Sequence, residues 1–169
     1  MTPSRAYITP ALQPSLADFK SHLRITSNDL DGELQVKLMA AVNAAENMIG
    51  QVIALSRFTV KGMLKEYCLV LPSRPLVEVE AVSLDGVPIE DYTLSGRVIC
   101  FPDEAIGSEV EVTYIAGMQE VPYDIRAAIL LHASALFNNP VDSVETLPKA
   151  STNLLRPYRL WEIGRKVKK

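Results

Sequence analysis

The sequence holds only two cysteines, Cys68 and Cys100, in 169 residues. That is too few for the disulfide framework that staples small secreted domains. The expectation is a pair of reduced thiols in a cytosol, packed in strands as small hydrophobes; a single bridge is the alternative. Histidine is as scarce. His22 and His132 form no close pair with each other or with either cysteine, so the ligand spacing of a zinc site is missing. No apolar run approaches the roughly 18 residues that mark a membrane span. The opening MTPSRAYITP lacks the apolar core of a secretory signal. Internal repeats, GxSxG, GxGxxG and a Walker loop are also absent. His132 and Ser134 stand two apart on a helical pattern, so they face different directions and cannot form a nucleophile–base pair. These absences leave no catalytic residue, cofactor site or metal site to assign. The expectation is a protein without enzymatic activity; an unrecognised small hydrolase is one alternative.

What is present suits a folded chain. Hydrophobic residues make up 48% and charged residues 22%, ordinary values for a globular protein. A domain of this size buries about 70% of its unfolded surface and needs no staples. The net charge of −3 gives no case for the whole chain wrapping nucleic acid, but the charge is unevenly spread. Residues 156–169 hold six basic residues against one acid, a net of +5, which leaves −8 on the remainder. An acidic body with a basic end is an attachment cue, and a nucleic-acid-binding module using this tail is the second alternative.

The chain is organised around residues 121–140, VPYDIRAAILLHASALFNNP. Pro122 and Asp124 suit a helix start. Ile125, Ile129, His132 and Leu136 share a face that Ala128, Leu131 and Ala135 widen, and a helix so apolar all round is buried on several sides. His132 is expected to be a hydrogen-bonded core or interface residue. Pro140 stops the run. Upstream, Ser15 and Asp18 resemble a capping box opening a short helix to about Arg24, with Leu16, Phe19 and Leu23 on its apolar side. A second helix over about 30–49 carries the stripe Leu30, Leu34, Leu38, Val42, Ala45 and Ile49, with Gly50 as its cap. Residues 1–14, with Pro3, Pro10 and Pro14, read as an extended arm.

Between these helices the period changes. Residues 58–63, 67–71, 76–84, 98–101 and 110–115 read as strands. Val77, Val79 and Ala81 alternate with Glu78 and Glu80, and Val110, Val112 and Tyr114 alternate with Glu109, Glu111 and Thr113. Such alternation predicts an antiparallel sheet with one wet face, and Asp85–Gly86 and Ser95–Gly96 mark hairpin turns. The predicted fold class is α+β: a framework of about four helices with a β subdomain inserted over about 56–116. The predicted organisation is an arm at 1–14, a body at 15–155 (helices within 15–50 and 121–155) and a basic tail at 156–169. Ser151 or Thr152 is expected to cap a last short helix through Leu154 and Leu155. The tail is expected to be dispensable for folding, because the core helices lie upstream.

Two clusters resemble chemistry without supplying it. Ser27, Asp29, Asp31 and Gly32 are spaced like the start of a calcium loop, but the twelfth position is Leu38, where a bidentate Glu is required. Glu78, Glu80, Glu109 and Glu111 fall on the wet sheet face, where carboxylates are solvated.

The order LADFKSHLRIT, NDLDGELQVKLMAAVNAAENMIG, VEVTYIAGM, VPYDIRAAILLHASALFNNP and LLRPYRLW resembles the tailed-phage head–tail connector (adaptor) proteins. The likeness spans about residues 15–161. It departs from the family pattern after His132, where Ala-Ser-Ala-Leu-Phe-Asn-Asn replaces a more aromatic run. The resemblance implies a structural protein of the virion, at the head–tail interface, assembled in the host cytoplasm. It implies a twelvefold ring of identical copies under the portal protein, joined below to a tail-side stopper or tail-completion protein. The resemblance further implies that genome DNA passes through the channel without sequence-specific binding, that no membrane is involved and that no cofactor is needed. The tail then supplies the expected contact with portal or neighbouring subunit: Arg156, Tyr158, Arg159, Leu160 and Trp161. Aromatic and arginine side chains dominate interface energy, and Arg159 can fork onto a carboxylate.

Overall fold

The computed structural model describes residues 3–8, 14–139 and 148–160. The chain divides into two compact units, one formed by Met1–Leu12 and Val52–Glu120 and the other by Gln13–Gln51 and Val121–Lys169. Among the described residues the first holds the strands and one 3₁₀ turn (Asp103–Ala105) and the second the four α-helices, so the fold is α+β.

The β unit contains β1 (Ser4–Tyr7), β2 (Ser56–Met63), β3 (Cys68–Val70), β4 (Leu76–Leu84), β5 (Val87–Pro88), β6 (Thr93–Ser95), β7 (Val98–Cys100) and β8 (Glu109–Ala116). They form a five-stranded sheet ordered β1-β2-β8-β4-β5 and a three-stranded sheet ordered β3-β7-β6, antiparallel throughout. Strand β8 is the spine: Val110, Val112, Tyr114 and Ala116 are buried and alternate with half-exposed or exposed partners. Phe58 and Tyr114 face each other across β2 and β8, and their rings stack at 5.6 Å. The Tyr114 hydroxyl accepts from the Ser73 backbone N–H at 3.3 Å, so the polar end of this buried ring is satisfied.

The expected alternation on β4 fails. Irregularities between Leu76 and Glu78 and between Val79 and Ala81 shift the register. A bulge moves every following side chain to the other face. Opposite the buried residues of β8 therefore stand Leu76, Val79, Val82 and Leu84. Val82 is buried and Ala81 exposed, the reverse of the simple pattern. The arm also holds structure. Its residues Ser4–Tyr7 pair with Ser56–Thr59 as an edge strand, and the Arg5 guanidinium lies 4.5 Å from the Tyr7 ring and 5.6 Å from that of Phe58. After β8, Gly117 takes φ 139°, and a Cβ there would meet the Leu55 Cα at 2.8 Å. Only glycine fits that close approach.

Reduced cysteines are not what the structure contains. Cys68 and Cys100 form a disulfide. They lie directly opposite on β3 and β7, and the flanking Tyr67/Phe101 and Leu71/Arg97 positions carry the ladder hydrogen bonds. The cysteines thus occupy a non-hydrogen-bonded pair, whose side chains come closest. Neither stripe nor spacing revealed that the two strands are neighbours in this register.

The helical unit contains α1 (Leu16–Leu23), α2 (Asp31–Ile49), α3 (Tyr123–Asn138) and α4 (Lys149–Leu155), followed by a 3₁₀ turn at Arg156–Tyr158. Helix α3 packs against the other three. Phe19, Leu34, Leu38, Val42, Ala45, Ile49, Ile125, Ala128, Ile129 and Leu155 are all buried. Truncating a buried isoleucine of this set would cost about 2–5 kcal/mol. Leu30 drops out of the stripe: it is the N-cap residue of α2 and 39% exposed. Helix α4 begins earlier than expected, after Pro148, so Ser151 is no cap but a fully buried interior residue.

Candidate assembly surface

The helical unit's first helix is fixed by Ser15 and Asp18. The Asp18 carboxylate accepts from the Ser15 backbone N–H at 2.9 Å and from its hydroxyl at 2.8 Å, while Ser15 Oγ accepts from the Asp18 N–H. The same carboxylate takes an Arg126 N–H at 3.2 Å, tying the start of α1 to α3. The Ser15 hydrogen bonds, with a smaller contribution from the Arg126 charge, hold the Asp18 carboxyl below its ordinary range. The Arg126 guanidinium also lies 6.0 Å from the ring of Tyr123. Tyr123 is 84% exposed. Sequence reasoning used its neighbours Pro122 and Asp124 as helix-start signals and passed over it. The available signal was a large aromatic in the first turn, off the apolar stripe.

Four of the five expected contact residues are described. Arg156 and Arg159 are exposed, Leu160 is 41% exposed and Tyr158 half-buried. Trp161 lies outside the described residues. The segment is tied down. Gln51 Nε2 donates to the Tyr158 carbonyl at 2.9 Å, and the Tyr158 hydroxyl donates to Asp124 at 3.5 Å. The Leu160 N–H donates to the Ile49 carbonyl at 3.0 Å. Residues 156–160 therefore bring two arginines, an aromatic and a leucine beside the C-terminal end of α2 and the first turn of α3. Tyr123 stands next to Asp124 in that first turn.

His132 is buried as expected, but among the described residues its Nδ1 has no hydrogen-bond partner, and neither has Ser151 Oγ. Burial pushes the imidazole pKa down. Ser134, two residues on, donates back to the Leu130 carbonyl.

Several of the acidic residues, Glu80, Glu109, Glu111 and Asp31 among them, are held in ion pairs. Arg57 forks onto Glu80, with N–O distances of 2.5 and 2.6 Å. Lys61 reaches Glu109 at 3.3 Å and Glu111 at 3.6 Å. Those partners raise the Arg57 and Lys61 pKa and lower that of Glu80. Asp31 pairs with Lys20 at 2.6 Å, and Asp29 with Ser27. Among the described residues no cluster could hold a metal ion, and no helix is long and apolar enough to cross a membrane.

Among the described residues, a four-helix unit is thus interrupted in sequence by an antiparallel β unit, and a segment bearing arginines and an aromatic follows the last helix. Residues 14–80 match the family model of the phage gp6-like head–tail connector protein. No curated protein sequence matches the chain. Among solved structures, the fold is similar to a chain in the neck of a native gene transfer agent (GTA) particle computed with C12 symmetry. That match has 21% identity, a TM-score of 0.77, and covers 98% of each chain. A chain in the neck of an empty GTA particle, computed with C6 symmetry, matches at 21% identity and TM-score 0.73, again over 98% of each. A chain of the native GTA virion matches at 21% and 0.73, over 95% of this chain and 97% of that one. The resemblance to head–tail connectors read from the sequence is borne out by the family model over residues 14–80. The fold likeness extends over nearly the whole chain.

Proposed function

We propose that this protein is a structural head–tail connector of a phage-like particle. It forms a ring of identical copies under the portal, joins head to tail, and leaves a channel through which DNA passes without sequence-specific contacts. The observation that carries the reading is the fold match over 98% of the chain to a particle neck with C12 symmetry; the family match over residues 14–80 supports it. The reading makes the protein non-enzymatic. Its place is the virion, at the head–tail interface. Rings of this kind use one patch of each copy against a different patch of the next, and close by rotation.

Within that reading, residues 15–155 are the ring-forming body and the basic C-terminal tail is the docking element toward the portal or the neighbouring copy. Arg156, Tyr158, Arg159 and Leu160 form its tethered base, and Trp161 is its first anchor beyond that base. The tail's lysines (Lys166, Lys168, Lys169) steer approach and add little affinity each. A tail-side stopper or completion protein takes the opposite end. Co-sedimentation with portal rings tests the docking role. A chain ending at Leu160 should lose binding, and Trp161→Ala should weaken it by about 2 kcal/mol, the size of an interface hot spot. Undiminished binding by the shortened chain would return the docking surface to the body.

A further inference from the structure

The cysteine pair has no task in the connector reading, yet its placement is specific. On the small sheet Cys68 stands opposite Cys100, Leu69 opposite Ile99 and Val70 opposite Val98. Side chains alternate across a strand. Ile99 is fully buried and Leu69 packs on the β core, so the two cysteines share the other, outer face. Both are only half-buried, and Val70 on the same face is 51% exposed. Strand β3 pairs with β7 alone among the described residues, which makes it an edge. A cleft of about 330 Å³ runs along that edge. Its lining includes Met63, Leu64, Val70 and Cys68, but not Cys100.

We infer that the Cys68–Cys100 bridge is a thiol-exchange site, opened by small-molecule thiols that attack Cys68 from the cleft, and that it fastens the small sheet in a redox-dependent way. An incoming thiolate forms a bond to Cys68 Sγ as the Cys68–Cys100 bond breaks. Cys100 leaves as a thiolate and takes a proton. A second small thiolate then attacks the small-molecule sulfur of the mixed disulfide, and Cys68 is released as a thiol. Two small thiols have become one small disulfide, and the protein has gained two thiol hydrogens; the reverse sequence, with a small disulfide as oxidant, closes the bridge. The fastening follows from the size of the sheet. Each of its three strands is three residues long, and strands so short hold one another weakly. A reducing cytosol keeps the pair open and an oxidising exterior closes it.

The test uses the full-length folded chain and reduced glutathione, quenched by alkylation and mapped by peptide mass spectrometry. The mixed disulfide should fall on Cys68 in preference to Cys100 by about tenfold, because access decides which sulfur is attacked. Reduction should speed amide exchange of β3, β7 and β6 by about tenfold or more, with β2 and β8 unchanged, as expected for a local opening. The Cys68→Ser/Cys100→Ser variant should reproduce that pattern. If it fails to fold, the reduced wild-type chain carries the measurement alone. A bridge that glutathione opens only in denaturant, adducts shared equally or placed on Cys100, or exchange rates that ignore reduction would each overturn the inference. All readouts are on the isolated chain, so they are independent of the connector reading.

Discussion

The Leu160 N–H donates to the Ile49 carbonyl at 3.0 Å, one residue before the left-handed Gly50 that ends α2. The last turn of a helix has carbonyls without intrahelical partners, and here the segment that leaves α4 satisfies one of them. The C-terminal segment is thus part of how the helical unit closes.

That contact divides the tail into two halves with different consequences. Ending the chain at Leu160 should leave thermal stability unchanged. Ending it at Leu155 removes the Leu160–Ile49 and Gln51–Tyr158 hydrogen bonds and should cost about 1–3 kcal/mol. Denaturant melts of the two truncations check this. Equal stability of both would mean that the 156–160 contacts add nothing.

Asp18→Ala removes the reciprocal cap with Ser15 and the Arg126 ion pair together. The loss should be about 1–2 kcal/mol, mostly from the cap, since the Asp18 side chain is 42% exposed and its ion pair is screened. Asp18 is held below the ordinary carboxylate range in the folded state. Its contribution is therefore present above that range and is lost as pH falls through the lowered value. Unfolding midpoints between neutral and strongly acid pH should show a steeper loss for wild type than for the variant.

His132 acts in a higher pH window. Burial lowers its folded pKa, so the unfolded chain takes up a proton first, near pH 6.5. Stability should fall as pH drops below about 6.5 and level off once the folded imidazole is also charged. His132→Leu should flatten this step and leave the acid loss from Asp18 in place. An unchanged step in the variant would assign it elsewhere.

The disulfide closes a loop with a sequence separation of 32 residues. By the chain-entropy relation, replacing both cysteines with serine should cost about 3–4 kcal/mol. Melts of the double variant against the oxidised wild-type chain measure it, and a loss under about 1 kcal/mol would contradict the entropic account.

Much of the fold was legible because burial follows period. The α2 stripe from Leu34 to Ile49, the α3 face from Ile125 to His132 and the alternation of β8 all stand as read. The misses have local causes. Bulges on β4 exchanged Ala81 for Val82 on the inner face, and no residue type announces a bulge there. The four-residue β1 owes its strand to pairing with β2, which local sequence does not encode. The cysteine bridge depends on strand register across 32 residues. At the candidate site the expected contact residues are Arg156, Tyr158, Arg159, Leu160 and Trp161, of which Trp161 lies outside the described residues. The anchoring by Gln51 and Ile49, and the neighbourhood of the α3 first turn, required the three-dimensional structure.

The central claim is that this chain forms a ring joining head to tail. Cryo-electron microscopy of the assembled particle, focused on the portal vertex, measures it directly. The account predicts a closed ring of this chain between portal and tail, with density for residues after Leu160 on a neighbouring subunit or on the portal. A vertex whose rings contain no copy of this chain would contradict it.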